Sequence, residues 1–491
     1  MENLKSSAKK YRVPIGILLV VYLVGILAII RANFYYIDDL GRAFWGYRGF
    51  QYFSRYVSEF GSILIHADTE LTDISPLPQI LATGIMAISG VAILHLITEK
   101  ERFSVIEYIA MVPLCLSPYF LECISYKFDA LYMAISVLAS VAPALLYSKK
   151  MPGGYVLSVI LGTLIMCMSY QSSSGIFPML TALLALKKWN HGEAVKELLR
   201  FVMLSAIGYL VGLVLFSEVI MNPVSQGDYV SPALPPIKEI PYYFFYNLKH
   251  YYTLILSDLK KGWLLLIAVL LVGFVYISVW ESKRKWYCAL PMTIAGLGVI
   301  LALAFGAYPA MTNPLFEPRA MYGFGVMVSM IAVYTVSETG RREYLVPRIA
   351  CLALSWCFFI FAFTYGNALD VQQDYTDYRI AAVIDDLDET GAFNSEEPKT
   401  VQVVGTIGYA PGIYAMDQDY QILNRLIPIL FQDSSWEWGV FEFENYYALP
   451  KVKWSRDENI DLRDMDLPLL RDSIYHTIRG NSEYLLIELK L

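Results

Sequence analysis

The chain has 491 residues, of which 56% are hydrophobic and only 17% charged, and its mean hydropathy is +0.46. A water-soluble fold cannot hide that much apolar surface, so the composition excludes a soluble enzyme or binding module and predicts a protein of the bilayer. The net charge of -7 hides a split, because 23 acidic and 10 basic residues follow from Asn367 onward; the remainder is mildly basic, and nothing in it suits nucleic acid.

The first residues carry Lys5, Lys9, Lys10 and Arg12 ahead of an apolar run from Val13 to Ile30, and no small-residue cleavage site precedes the polar segment beyond it. This predicts an uncleaved first transmembrane helix. Further apolar runs long enough for roughly 30 Å of hydrocarbon lie at Leu77–Ile97, Val105–Leu121, Ala130–Tyr147, Tyr155–Tyr170, Ile176–Leu186, Leu198–Phe216, Trp263–Trp280, Tyr287–Phe305, Met321–Ser337 and Val346–Phe363. About eleven spans are expected, with a membrane part over 1–365 and an α/β unit over 366–491.

Alternate connections collect the basic residues: the N-terminal lysines, Lys100 with Arg102, Lys149-Lys150, Lys187-Lys188, Lys283-Arg284-Lys285 and Arg341-Arg342. By the positive-inside rule these loops and the N-terminus are cytoplasmic, which puts the long loops Arg31–Pro76 and Glu218–Gly262 and the C-terminal unit on the outer face. Within that unit Tyr378–Leu387 has helical periodicity, Thr400–Gly405 and Tyr484–Lys490 read as strands, and Trp436, Trp438, Tyr446 and Tyr447 are expected to furnish a core.

Chemistry-bearing groups concentrate in the outer loops. Asp38 and Asp39 stand where the first helix leaves the membrane, behind Asn33-Phe34-Tyr35-Tyr36-Ile37, and partial desolvation there raises a carboxylate's basicity. Alternatively, the pair only marks the water boundary or caps the next helix. Downstream, Phe44, Trp45, Tyr47, Phe50, Tyr52 and Phe53 interleave with Arg42, Arg48 and Arg55, a spacing that suits interfacial helices with aromatics inward and guanidiniums toward headgroups. Tyr126-Lys127-Phe128-Asp129 and Ser169-Tyr170-Gln171 are short polar turns able to bond sugar hydroxyls or simply to finish helices. The loop from Met221 to Gly262 combines Pro223, Pro232, Pro235, Pro236 and Pro241 with Tyr242–Tyr246, Lys249 and His250, as a re-entrant or interfacial segment would. Arg319, in Glu317-Pro318-Arg319, either forks onto a phosphate or pairs with Glu317 or a loop aspartate.

The six cysteines show no CxxC or Cys/His ligand spacing and the five histidines are scattered, so no disulfide framework, zinc site, Walker loop or Ser/His/Asp set is supported. No internal repeat and no matched pair of broken helices points to an inverted-repeat transporter.

Tyr36-Ile37-Asp38-Asp39, Ser75-Pro76, Ser169-Tyr170-Gln171 and Pro318-Arg319, in this order, resemble the Gtr-type serotype-converting glucosyltransferases of bacterial membranes, multi-pass enzymes of the GT-C superfamily. The resemblance implies an all-α polytopic fold in the bacterial plasma membrane. It also implies a polyprenyl-phosphate-linked sugar donor, glucose above all, inverting displacement, and a polysaccharide or lipid-linked glycan acceptor. By that analogy Asp38 or Asp39 is the base. Arg319, then Arg42, Arg48 and Lys127, are candidates for the donor phosphate, and Tyr36, Asp129, Tyr170, Gln171 and Glu317 for sugar or acceptor. No cofactor or obligatory divalent metal is expected; membrane lipids, a flippase and a donor synthase are the expected partners. The competing readings are a flippase or transporter of lipid-linked saccharide, a glycan polymerase or ligase, and a structural envelope protein.

Overall fold

The computed structural model describes residues 2–222, 233–337, 344–391, 398–433, 443, 452–455 and 460–491, with side chains from Lys10 onward. The expected prolines 223 and 232, Arg341-Arg342, and the aromatics Trp436, Trp438, Tyr446 and Tyr447 lie outside the described residues.

The chain is mostly helical: α1 (Glu2–Gly25), α2 (Leu27–Ala32), α3 (Asp38–Trp45), α4 (Tyr56–His66), α5 (Leu77–Thr98), α6 (Val105–Ile109), α7 (Val112–Leu116), α8 (Pro118–Ser125), α9 (Ala130–Val141) and α10 (Pro152–Ser169). There follow α11 (Ile176–Asn190), α12 (Val195–Leu215), α13 (Ile240–Asp258), α14 (Lys261–Trp280), α15 (Trp286–Leu303), α16 (Pro318–Met321), α17 (Gly323–Ser337), α18 (Leu345–Glu389), α19 (Pro411–Asp417) and α20 (Leu423–Leu426). Among the described residues, seven helices are long and apolar enough to cross a membrane, and eight if α6–α8 count as one bent span. That bend, of 57°, falls where Pro118 follows Ser117: proline lacks the N–H that a continuous helix would need. The apolar run after Ala130 is a shorter helical stretch, Ala130–Leu146, and Ile176–Asn190 has 15 residues.

The basic loops lie together at one end. Lys10 pairs with Glu101, Lys187 with Glu99 (2.6 Å), Lys188 with Glu193 (3.0 Å) and Lys149 with Glu197 (3.2 Å), while Arg284 donates to the Glu193 carbonyl. Lys100 bonds both Glu107 and the Ser337 carbonyl at 2.9 Å. The connections 33–76, 126–129, 170–175 and 304–317 meet at the other end.

α18 is a 45-residue helix that runs from the apolar bundle into the C-terminal unit without a break, so the expected boundary at 365/366 falls inside it. It crosses α2 closely at Gly366, where a Cβ would sit 2.5 Å from the backbone of Ala28 and Ile29. Its last turns place Ile380, Val383 and Leu387 on a five-stranded sheet of β1 (Lys399–Gly405), β2 (Val452–Trp454), β3 (Leu469–Asp472), β4 (His476–Gly480) and β5 (Tyr484–Leu489). The order is β2-β1-β5-β4-β3, with β1 parallel to β2 and β5 and the β3–β4–β5 pairs antiparallel. Alternation along the strands turns Val401, Val403, Ile478, Leu485 and Ile487 toward α18 and Val404 and Leu486 toward Leu462 and Leu467. Between β1 and β2, by contrast, Ala410, Ile413, Ile422, Leu423, Leu426, Ile427 and Leu430 join the apolar core of the bundle itself. The C-terminal unit is thus fused to the membrane part through this connection.

Candidate active site

At the end opposite the basic loops the helix termini surround a cavity of about 760 Å³. Its walls include Tyr36, Asp38 and Arg42 from the first exit loop, Arg55, Glu122, Tyr126 and Asp129, Tyr170, His250, Glu317 and Arg319. The remaining wall comes from the connection between β1 and β2, with Tyr409, Asn424, Arg425, Ile427, Leu430 and Gln432.

The adjacent aspartates have separate environments. The backbone enters α3 through Ile37 at φ +48°, a left-handed geometry that for a β-branched residue costs about 1–3 kcal/mol and is held only by its surroundings. Beyond this twist Asp39 turns into the protein. It is fully buried, and its Oδ2 accepts the N–H groups of Tyr36 (3.1 Å) and Lys127 (2.9 Å), its Oδ1 that of Phe128 (3.4 Å). Burial pushes the Asp39 carboxyl up to about 8 against the lowering effect of those donors. Asp38 faces the cavity, half-buried, and among the described residues it accepts no hydrogen bond and joins no ion pair. Burial raises its pKa above the usual carboxylate range and Asp129 adds to this, while the guanidiniums of Arg42, Arg319 and Arg55 oppose it.

The arginines are oriented contrary to the expectation of guanidiniums facing headgroups. Arg42 is buried, pairs with Asp129 and lies 4.4 Å over the Phe50 ring; Arg48 pairs with Glu59 at 3.0 Å. Phe44, Trp45, Tyr47 and Tyr52 are the exposed aromatics of this segment. The inversion follows from the carboxylates nearby: buried Asp129 and Glu59 are each met by an arginine, and a buried charge without a partner is costly. Arg319 likewise finds a carboxylate, but it is Glu122, at 2.7 Å, and not Glu317 or an aspartate of the loops. The Arg319 backbone N–H also donates to Glu122, so one buried acid ties α8 to α16.

Of the residues expected in the site, Asp38, Arg42, Arg319, Tyr36, Asp129, Tyr170 and Glu317 line the cavity, and Asp39, Arg48, Lys127 and Gln171 do not. Lys127 is buried in a pair with Asp73 (3.0 Å) beneath the Tyr35 ring, and Gln171 is spent on the Phe53 carbonyl (3.0 Å). Lining residues that the sequence does not single out include Glu122, Asn424 and Arg425, and Arg55 is expected there only as an interfacial cation. Glu122 has a detectable signal, an ionisable residue inside an apolar run. Arg425 has none, because it reaches the cavity from 167 residues beyond its partner Asp258. Arg425 also donates to the Phe316 carbonyl, and Tyr36 donates its hydroxyl to the Leu426 carbonyl (2.8 Å). Among the described residues no cluster of three or more His, Cys, Asp or Glu could hold a metal ion.

A bundle of apolar helices enclosing a charge-lined cavity at one end is the design of a membrane protein that handles a polar group at the bilayer edge. The chain belongs to the glucosyl transferase GtrII family, whose model matches residues 27–330. It is therefore a glycosyl-transferring enzyme. It is also similar to an uncharacterized 55.3 kDa protein in the gtrB 5' region of Salmonella phage P22, at 23% identity over 445 residues, 87% of this chain and 89% of that protein. No solved structure matches it. The family match contains Asp38 through Arg319, whereas the cavity wall from Tyr409 to Gln432 lies beyond it.

Proposed function

We propose that the chain transfers glucose from a polyprenyl-phosphate carrier to a cell-envelope polysaccharide or lipid-linked glycan, by one inverting displacement with Asp38 as general base. The single observation that carries this reading is that Asp38, and not Asp39, presents an uncommitted carboxylate to a cavity rich in guanidiniums. In the reaction an acceptor hydroxyl oxygen bonds to the sugar C1 as the C1–O bond to phosphate breaks. The hydroxyl proton passes to Asp38 and the bonding pair leaves with the lipid phosphate, which needs a nearby cation but no proton donor. A raised pKa suits the base, since a carboxylate of ordinary basicity is a weak proton acceptor at neutral pH.

Membrane placement is part of the proposal. In this reading the chain crosses the bilayer eleven times, with α6–α8 and α16–α17 each taken as one crossing; seven of the described helices, or eight with α6–α8, are by themselves long and apolar enough to do so. The positive-inside rule then puts the basic end in the cytoplasm and the cavity and sheet outside, in a plasma membrane of GT-C type architecture. No resident metal is needed, because the donor is a monophosphate diester and the cavity supplies its own cations. The test is transfer of radiolabelled glucose from synthetic polyprenyl-phosphate-glucose to envelope polysaccharide by purified protein in liposomes. Transfer that requires the phosphate-linked donor supports the reading; wild-type protein that moves the intact lipid-linked sugar across the bilayer without transfer overturns it in favour of a flippase.

A further inference from the structure

We infer that Arg55 binds the phosphate of the lipid-linked donor, an assignment that rests on the transfer reading above. Four guanidiniums line the cavity: Arg42, Arg55, Arg319 and Arg425. Three have a carboxylate of their own, Arg42 with Asp129, Arg319 with Glu122 and Arg425 with Asp258. Arg55 differs. Its nearest carboxylate oxygen is Asp129 Oδ1, 4.0 Å from Nη1, and Asp129 already holds Arg42 through Oδ2.

What positions Arg55 is aromatic and amide contact. Its Cζ lies 4.6 Å from the centre of the Tyr170 ring and 5.0 Å from that of Phe53, and its Nε makes a long 3.4 Å bond to Gln171 Oε1. Gln171 is in turn anchored to the Phe53 carbonyl, and Tyr170 stacks on Tyr322. Among the described residues Nη1 and Nη2 make no hydrogen bond, so the fork of the guanidinium is held in place without a hydrogen-bonded partner of its own. Planar stacking holds an arginine in place while leaving its bidentate edge for an anion.

The reaction requires a cation of this kind. The donor is a phosphodiester with one negative charge; cleavage of the C1–O bond leaves a lipid phosphate monoester with a second. Only interactions that strengthen as this charge develops accelerate transfer. Arg42, Arg319 and Arg425 are each offset by a carboxylate at contact distance, so their pull on a third charge is largely cancelled. Arg55 retains most of its own.

The test is binding of farnesyl phosphate, farnesol and inorganic phosphate to the purified full chain in detergent, with thermal unfolding of each variant alongside. Wild type should prefer farnesyl phosphate to both others. Arg55→Gln should weaken farnesyl phosphate binding roughly 10- to 100-fold, the worth of a charge-assisted bond, with farnesol unchanged, and Arg55→Lys should recover only part of the loss, because it restores the charge without the fork. Arg55→Gln that binds farnesyl phosphate like wild type, or that loses farnesol equally, overturns the assignment, as does inorganic phosphate binding as tightly as the lipid. These outcomes do not depend on transfer: Asp38-dependent transfer with intact phosphate binding in Arg55→Gln sinks Arg55 alone, whereas phosphate binding by Arg55 without any transfer sinks the reaction.

Discussion

Asp38 and Asp39 adjoin in sequence, yet substitution should affect them in opposite ways. Asp38→Asn removes a proton acceptor that takes part in no hydrogen bond among the described residues, so unfolding should not move. A positioned general base contributes roughly 10²- to 10⁴-fold, about 3–5 kcal/mol of barrier, and transfer should fall by that factor. Asp39→Ala strips the acceptor from the Tyr36 and Lys127 N–H groups, at 3.1 and 2.9 Å, with the weaker Phe128 contact besides. At about 1–3 kcal/mol for each buried donor left unpaired, the loss is roughly 2–6 kcal/mol of stability. Asp39→Asn is the informative control. Both short bonds end on Oδ2, so an amide oxygen in that place keeps them, and this variant should fold and retain transfer. Glucose transfer in liposomes, read with thermal unfolding in detergent, separates these cases. Asp38→Asn at wild-type rate, or Asp39→Asn inactive with unchanged unfolding, would refute the assignment of the base.

Raised basicity at Asp38 also has a pH signature. The base works when ionised, so activity is present above its pKa and lost as pH falls through it; the acid limb should lie above the ordinary carboxylate value of about 3.9 and vanish from the residual activity of Asp38→Asn. Arg319→Ala leaves Glu122 buried without its cation and should cost about 3–5 kcal/mol in stability, which the double change Arg319→Met with Glu122→Leu should largely restore in a thermal unfolding assay. Arg425→Ala breaks the link from the β1–β2 connection to Asp258 on α13, and hydrogen exchange should show faster opening of residues 409–432 with the amides of β4 and β5 unchanged.

The membrane character, the helical class and the clustering of basic loops at one end all follow from apolar run length and charge alternation, which are local properties of the chain. So does the position of the first exit loop, since Asp38 must come where the apolar run stops. The strands at Lys399–Gly405 and Tyr484–Leu489 were similarly legible from short β-branched and aliphatic runs. What local pattern cannot resolve is which of two adjacent acids faces a cavity: one positive φ at Ile37 precedes the pair, and the N–H groups of Tyr36, Lys127 and Phe128 draw Asp39 inward. The directions of Arg42, Arg48 and Arg55 were equally hidden, because an amphipathic segment looks alike whether its cations meet headgroups or buried carboxylates. Charge pairing is decided by residues far apart in the chain, Arg42 with Asp129, Arg319 with Glu122 and Arg425 with Asp258, and no periodicity records such pairs. The sequence by itself determined that this protein lives in a bilayer and where its chemistry-bearing loops emerge; the tertiary structure alone decided which charges are spent on one another and which remain for a substrate, because a buried charge takes its partner from whatever the fold brings within reach.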